Sequence, residues 1–253
     1  MPNTNTNTNT LYQYSLISAL LQGICTDGLS ASSLTHHGTH GIGTLAELDG
    51  EMIMLDDEAY HFRTTSSSSL SDIQVRRLDT TDRIPFAMLT NFQPTHHYNI
   101  TTPLTINALR TQTLAPLLTT KKNHFLSVRI DAHFSALTLR IIPRRTAPHE
   151  TLADLADRQV VTSLEATTGS LFGFWSPRYV AGIGVAGFHL HYVAEDRRTG
   201  GHVLDFTAEV GGTVDVAIID RVEVELPDTK EFGEVAVEVP VGDAVQRAEG
   251  GGE

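Results

Sequence analysis

Two short stretches carry the residues best suited to chemistry: His189-Leu190-His191 and Gly200-Gly201-His202. Three histidines fall within fourteen residues, spaced His-x-His-x10-His. Val185, Phe188, Tyr192 and Val193 give the first stretch strand character. Side chains alternate faces along a strand, so His189 and His191 point the same way. Glu195 to Gly201 is polar and ends in two glycines, which reads as a hairpin turn, and His202 to Phe206 reads as the returning strand. With the turn centred near Arg197 and Arg198, His202 falls opposite Val193, on the face that carries His191. Three imidazoles then converge on one point and leave a fourth position open. That is the ligand set of a catalytic Zn²⁺ or a similar divalent ion, and three histidines alone would also suit Fe²⁺, Mn²⁺ or Cu²⁺. A single His-x-His in a chain with 12 histidines carries little weight. The third histidine, returned to the same face by a Gly-Gly hairpin, is what makes the pattern a candidate site.

The elements that position these residues are short and mostly extended. Leu11 to Ile24 places Leu11, Tyr14, Ile17, Leu20, Leu21 and Ile24 at helical spacing. Ser30 to Leu34 reads as a helical turn. His36 to Thr44 reads as a glycine-punctuated loop; it has no same-face ligand spacing, and it lacks the Gly-Lys-Ser/Thr ending of a phosphate loop. Leu45 to Arg63 reads as hairpin strands, with a polar loop at Thr64 to Ser69. Pro85 to Leu89 is a strand and Thr105 to Leu118 is helical. Phe125 to Ile142 reads as two strands with a turn near Asp131 to Ser135. Thr151 to Arg158 is a short helix with Thr151 as its cap. Val214 to Leu226 is one long strand, and Glu234 to Val239 a last short one. The sum is an α+β, β-dominated chain without a βαβ rhythm. The expected divisions are a disordered tail over residues 1–10, a mixed-sheet part over 11–115, a β-barrel-like part over 116–240 that carries the metal, and an acidic Gly-rich tail over 241–253.

Composition narrows the partners. A formal net charge of −12 argues against nucleic acid and against anionic membrane surfaces. No apolar run approaches the length of a membrane span, and residues 1–10 lack the basic and apolar regions of a signal peptide. The single cysteine, Cys25, excludes an intrachain disulfide and a cysteine-based zinc site, which fits a cytoplasmic setting. Cys25 sits in an apolar pattern and reads as a small core residue.

Several motifs then agree in order with one family. Leu11-Tyr12-Gln13-Tyr14-Ser15 with Ala19-Leu20, His40-Gly41-Ile42-Gly43-Thr44, Leu48-Asp49-Gly50-Glu51, Ile84-Pro85-Phe86-Ala87, Val128-Arg129-Ile130-Asp131 and the histidine hairpin resemble α-acetolactate decarboxylases. The resemblance runs from about Leu11 to Phe232. It implies a Zn²⁺-dependent lyase that converts 2-acetolactate to acetoin with loss of CO₂. It also implies a mixed-sheet N-terminal part and a barrel-like C-terminal part, with a homodimer as the assembly considered. The family's three histidine ligands fall on His189, His191 and His202. Its active-site glutamate falls on Glu51, its arginine on Arg140 and its pocket threonine on Thr44. Ala132 stands where the family usually has Gly, and Arg145 where it usually has Gln. In some relatives a C-terminal glutamate reaches the site, and the sequence leaves open whether Glu249 or Glu253 does so here.

The chemistry implied is coherent. Loss of CO₂ from a β-keto acid leaves an enediolate, so the catalyst needs an electron sink beside the ketone. A divalent ion on three neutral histidines supplies it. An arginine offers a planar donor for a carboxylate, and a nearby carboxylic acid can deliver a proton. Two other readings compete. A cupin-like metalloenzyme would use His189, His191 and Glu195, leaving His202 idle. A non-catalytic metal-binding module would turn over nothing.

Overall fold

The computed structural model describes residues 8–64, 73–148 and 150–239. The tails at residues 1–7 and 241–253, Glu249 and Glu253 among them, lie outside the described residues, as does most of the Thr64 to Ser69 loop. Short, alternating strands dominate, as the sequence pattern leads one to expect. They are β1 (Thr10–Tyr14), β2 (Leu29–Ser30), β3 (His40–Thr44), β4 (Glu51–Leu55), β5 (Glu58–Thr64), β6 (Ile73–Arg77), β7 (Arg83–Ile84) and β8 (Phe86–Thr90), followed by β9 (His96–Asn99), β10 (Leu104–Thr105), β11 (Phe125–Ile141), β12 (Val160–Ser176), β13 (Gly187–Ala194), β14 (Gly200–Ala208), β15 (Thr213–Ile219) and β16 (Arg221–Glu225).

Two seven-stranded sheets result. The first has the order β16-β1-β8-β3-β4-β5-β6 and is mixed, because β16 runs parallel to β1. The second has the order β10-β14-β13-β12-β11-β15-β9 and is antiparallel throughout. A further pairing of β14 with β11 closes β11, β12, β13 and β14 into a ring. A ring has no free edge between its members, which removes the exposed ladder groups that an open sheet presents.

The long strands β11 and β12, each 17 residues, make this closure possible. On one edge β11 pairs with β12 along nearly its whole length. On the other it pairs with β15 over Phe125–Asp131 and then with β14 over Phe134–Arg140. Its side chains change face midway. Leu126, Val128, Ile130, Ala132 and Phe134 join one core cluster at even positions, and Leu137 and Leu139 continue it at odd positions. The ladder to β12 skips one residue on each strand between Phe134↔Thr167 and Ala136↔Glu165, and Ala166 there takes φ 55°. The ladder to β14 shifts register at the same place. An extra residue in a strand flips everything beyond it to the other face.

The two sheets pack on each other through Ile42, Ile53, Phe62 and Met88 from the first and Phe172, Phe174 and Val193 from the second. Phe62, Phe172 and Phe174 have no exposed surface, and burial of each contributes roughly 1.5–3 kcal/mol. The opposite face of the ring is filled by its own cluster, including Phe134, Leu139, Tyr192 and Phe206.

Several local expectations are revised. Leu11 to Tyr14 is strand, and only Ile17–Leu21 is helical, because pairing on both edges with β8 and β16 outweighs a helical spacing. His40–Thr44 is a fully buried strand rather than a loop; its glycines allow close approach of β8 and β4. Ala46–Leu48 is a tight turn rather than strand. Phe125 to Ile141 is one strand, and its change of face mimics a turn in the sequence. Val214 to Leu226 divides at Asp220 into β15 and β16, which join different sheets. Lys230–Glu234 is a helical turn, and residues 235–239 form no strand. The helical reading after Thr105 and the Thr151 cap match the structure, where Thr151 and Asp154 form a reciprocal capping box. No helix among the described residues is long and apolar enough to cross a membrane.

Candidate metal centre

His189 and His191 alternate onto the same face of β13, and β14 returns His202 to them. His202 pairs directly with His191, two residues from the expected partner Val193, which pairs with Gly200. A two-residue offset keeps the face unchanged, so the side-chain expectation survives the register error. The three ring centroids lie 5.1–5.3 Å apart. One candidate ligand atom from each lies within 4.8 Å of the others, and all three residues are buried. The same cross-strand row continues from His202 to Arg140 on β11, which places Arg140 beside the triad. Without the change of face after Phe134, Arg140 would point into the ring's apolar cluster.

The donor chemistry fits a cation. His191 Nδ1 lies 2.7 Å from the Met52 carbonyl oxygen. A carbonyl only accepts, so Nδ1 carries the proton and Nε2 carries the lone pair. That Nε2 is buried and has no hydrogen-bond partner among the described residues, which leaves a lone pair aimed into the cluster. A carbonyl behind the distal nitrogen is the usual way a metal-binding imidazole is oriented. Arg140 Nη2 lies 3.2 Å from His202 Nδ1, and a guanidinium only donates, so the His202 Nδ1 lone pair accepts from Arg140. Burial holds the His189 and His191 rings neutral. It pushes His191 down to about 3, with the Met52 contact opposing and Arg140 adding to the effect. His189 is driven well below its usual range by burial, then by His191 and Arg140. Neutral imidazoles are the form that ligates divalent ions.

Glu51 opens β4 and reaches the triad from the first sheet. Its Oε1 lies 3.5 Å from Arg140 Nη1 and its Oε2 lies 3.6 Å from His191 Nε2. Glu51 is 5% exposed and Arg140 1%, so two opposite charges face each other inside the protein. Thr44 pairs across the ladder with Glu51, and its hydroxyl donates to the Gly50 carbonyl at 2.6 Å. Thr44 thus braces the turn before Glu51. Glu195 is not gathered with the histidines; it lines a separate cavity with Asp131 and His133. Among the described residues the group that could hold a metal is His189, His191 and His202. Residue types gave no signal for the Met52 carbonyl, which acts through its backbone. Phe86, whose ring stacks 6.5 Å from that of His189, also passed as an ordinary core residue.

Residues 11–238 match the family model described as alpha-acetolactate decarboxylase. The chain belongs to the α-acetolactate decarboxylase family. It is 33% identical over 222 residues to the alpha-acetolactate decarboxylase of Klebsiella aerogenes, covering 88% of this chain and 82% of the relative. Identity to the Methanosarcina mazei enzyme is 35% over 229 residues, covering 90% and 76%. The crystal structure of alpha-acetolactate decarboxylase from Bacillus subtilis strain 168 superposes with a TM-score of 0.85 at 28% identity, covering 95% of this chain and 99% of that one. Membership makes this chain a carboxy-lyase of the acetolactate decarboxylase type, with acetolactate as the substrate the family implies and the buried triad as its candidate metal site.

Proposed function

We propose that the chain decarboxylates 2-acetolactate to acetoin and CO₂, with His189, His191 and His202 holding Zn²⁺. The observation that carries this reading is the meeting of three buried imidazoles with a buried carboxylate and guanidinium, in a chain of this family. Zn²⁺ supplies a Lewis acid to the substrate's adjacent oxygens when bound. Arg140 presents fixed N–H donors to the substrate carboxylate and to the charge left as CO₂ departs. Glu51 faces Arg140 as a carboxylate in the free protein, takes up a proton from solvent as the substrate carboxylate replaces it on Arg140, and delivers that proton to complete acetoin. Thr44 supports the Gly50 carbonyl, so it acts on the placement of Glu51. The first sheet covers the triad and keeps water from the reacting carbon. A reducing cytosolic setting accompanies the reading, supported by a lone, buried cysteine; a homodimer is the assembly proposed, for light scattering to test.

The test is acetoin formation from racemic 2-acetolactate by purified protein, before and after chelation, with elemental analysis of the same sample. Turnover that chelation abolishes and Zn²⁺ restores is expected. Absence of acetoin from folded, zinc-loaded protein would overturn the reading.

A further inference from the structure

Glu51 is delivered by an unusual turn. Glu47 and Leu48 both adopt left-handed backbone, at φ 66° and 54°, and neither is glycine. Such backbone crowds a Cβ against the following carbonyl, and the arrangement persists only where surroundings hold it. Leu48 is anchored in the core at 1% exposure. Glu47 is held from the segment that follows β11. Arg145 Nε meets Glu47 Oε2 at 2.5 Å, and the Arg145 backbone N–H donates to the Glu47 carbonyl at 3.0 Å. The Arg145 guanidinium is buried, and Nη1 also donates to the carbonyls of Gly23 and Pro148, at 2.9 and 3.1 Å. The Glu47 N–H donates in turn to the Cys25 carbonyl at 2.8 Å. At the far end of the turn, His61 Nε2 donates to the Asp49 carbonyl at 2.5 Å.

The pattern is paired. Arg140 and Arg145 stand five residues apart on one segment. They meet Glu51 and Glu47, four residues apart on the other. One pair sits in the site and the other sits one turn away, outside it. We propose that Arg145 is a positioning residue for the decarboxylation: by holding Glu47 it fixes the strained 47–50 turn, and so sets where the Glu51 carboxyl stands relative to Arg140 and the triad. The inference rests on the reading of Glu51 as the proton donor.

The experiment compares wild type with Arg145→Gln, Arg145→Lys, Glu47→Gln and Glu51→Gln. Each is assayed for kcat, KM, bound zinc and the enantiomeric ratio of the acetoin formed. Arg145→Gln should keep its zinc and a KM within about twofold of wild type, lose roughly tenfold in kcat, and yield acetoin of lower enantiomeric purity, because a misplaced acid protonates both faces. Arg145→Lys should recover part of the loss. Glu47→Gln should reproduce it, and a variant carrying both Arg145→Gln and Glu47→Gln should be no worse than either single one. If Arg145→Gln fails to fold, Glu47→Gln, whose side chain is partly exposed, decides the matter. Unchanged kcat and enantiomeric ratio in a folded Arg145 or Glu47 variant would overturn the inference. Wild-type turnover by Glu51→Gln would instead sink the role of Glu51 on which it rests.

Discussion

A guanidinium with 1% exposure beside three histidines that would hold a dication is electrostatically costly, and Glu51 is what makes it tolerable. A buried ion pair need not stabilise a fold, yet removal of one partner strands the other and typically costs 3–5 kcal/mol. Arg140→Met should therefore lower unfolding stability by about that amount, measured by denaturant titration of the metal-free protein. It should also abolish turnover. Glu51→Gln keeps the shape and hydrogen-bonding capacity but removes the acid; kcat should fall roughly 10²–10⁴-fold while bound zinc is retained. The triad and the cupin-like alternative separate at this scale too. His202→Ala should purify without stoichiometric zinc, and Glu195→Ala should retain it, because Glu195 lines a different cavity. The reverse pattern, read by elemental analysis, would sink the three-histidine site.

Elements were legible where local pattern and tertiary demand agreed. The His-x-His strand, its Gly-Gly hairpin and the capped helix after Thr151 were readable because each is specified within about twenty residues. The hairpin register was missed by two because turn chemistry alone does not set where a bulge-prone polar loop closes. The partners of β1 and β3 lie far along the chain, so neither strand announced itself in isolation; Leu11 to Tyr14 even kept a helical spacing. Glu51, Arg140 and Thr44 had no local signature and were found through the family resemblance. The single-residue bulge in β11 and β12 was misread as a turn, although it is what swings Arg140 out to the histidines. At its centre, Ala166 is exposed at φ 55°. Glycine tolerates that conformation, so Ala166→Gly should stabilise by about 0.5–1 kcal/mol despite its greater unfolded entropy, and Ala166→Val should destabilise. Further along β12, a Cβ at Gly173 would stand 2.0 Å from the His189 carbonyl oxygen. Gly173→Ala should push β13 away from β12, cost about 1–3 kcal/mol and weaken zinc binding through His189.

At the scale of the whole molecule, the sheets are joined by a polar tie as well as by their shared core. His40 on β3 and Asp56 after β4 face Arg129 and Asp131 on β11, with Ser170 of β12 hydrogen-bonded to Asp131. Thr39 contacts His40 Nδ1, and the rings of Phe92 and Phe172 lie 5.1 and 5.0 Å from the imidazole. Burial is the largest influence on His40 and lowers its proton affinity; Asp56 and Asp131 oppose this, and Arg129, which donates to Nε2 at 3.1 Å, adds to it. His61, with no exposed surface, is lowered by burial in the same direction. A histidine whose folded proton affinity lies below the unfolded value of about 6.5 stays neutral in the folded chain while the unfolded chain takes up a proton. Its contribution is therefore fully present above pH 6.5 and is lost as the pH falls. Each such residue steepens the decline toward a limit of about 1.4 kcal/mol per pH unit, so His40, lowered to about 4, should remove roughly 1.5 kcal/mol between pH 6.5 and 5, and His61 adds to the decline in the same direction. Denaturant unfolding of the metal-free protein across this range measures the slope. His40→Gln should reduce it by close to one proton's worth, and the same slope in wild type and variant would show that His40 is protonated in the folded chain and that the two sheets meet through a charged imidazolium.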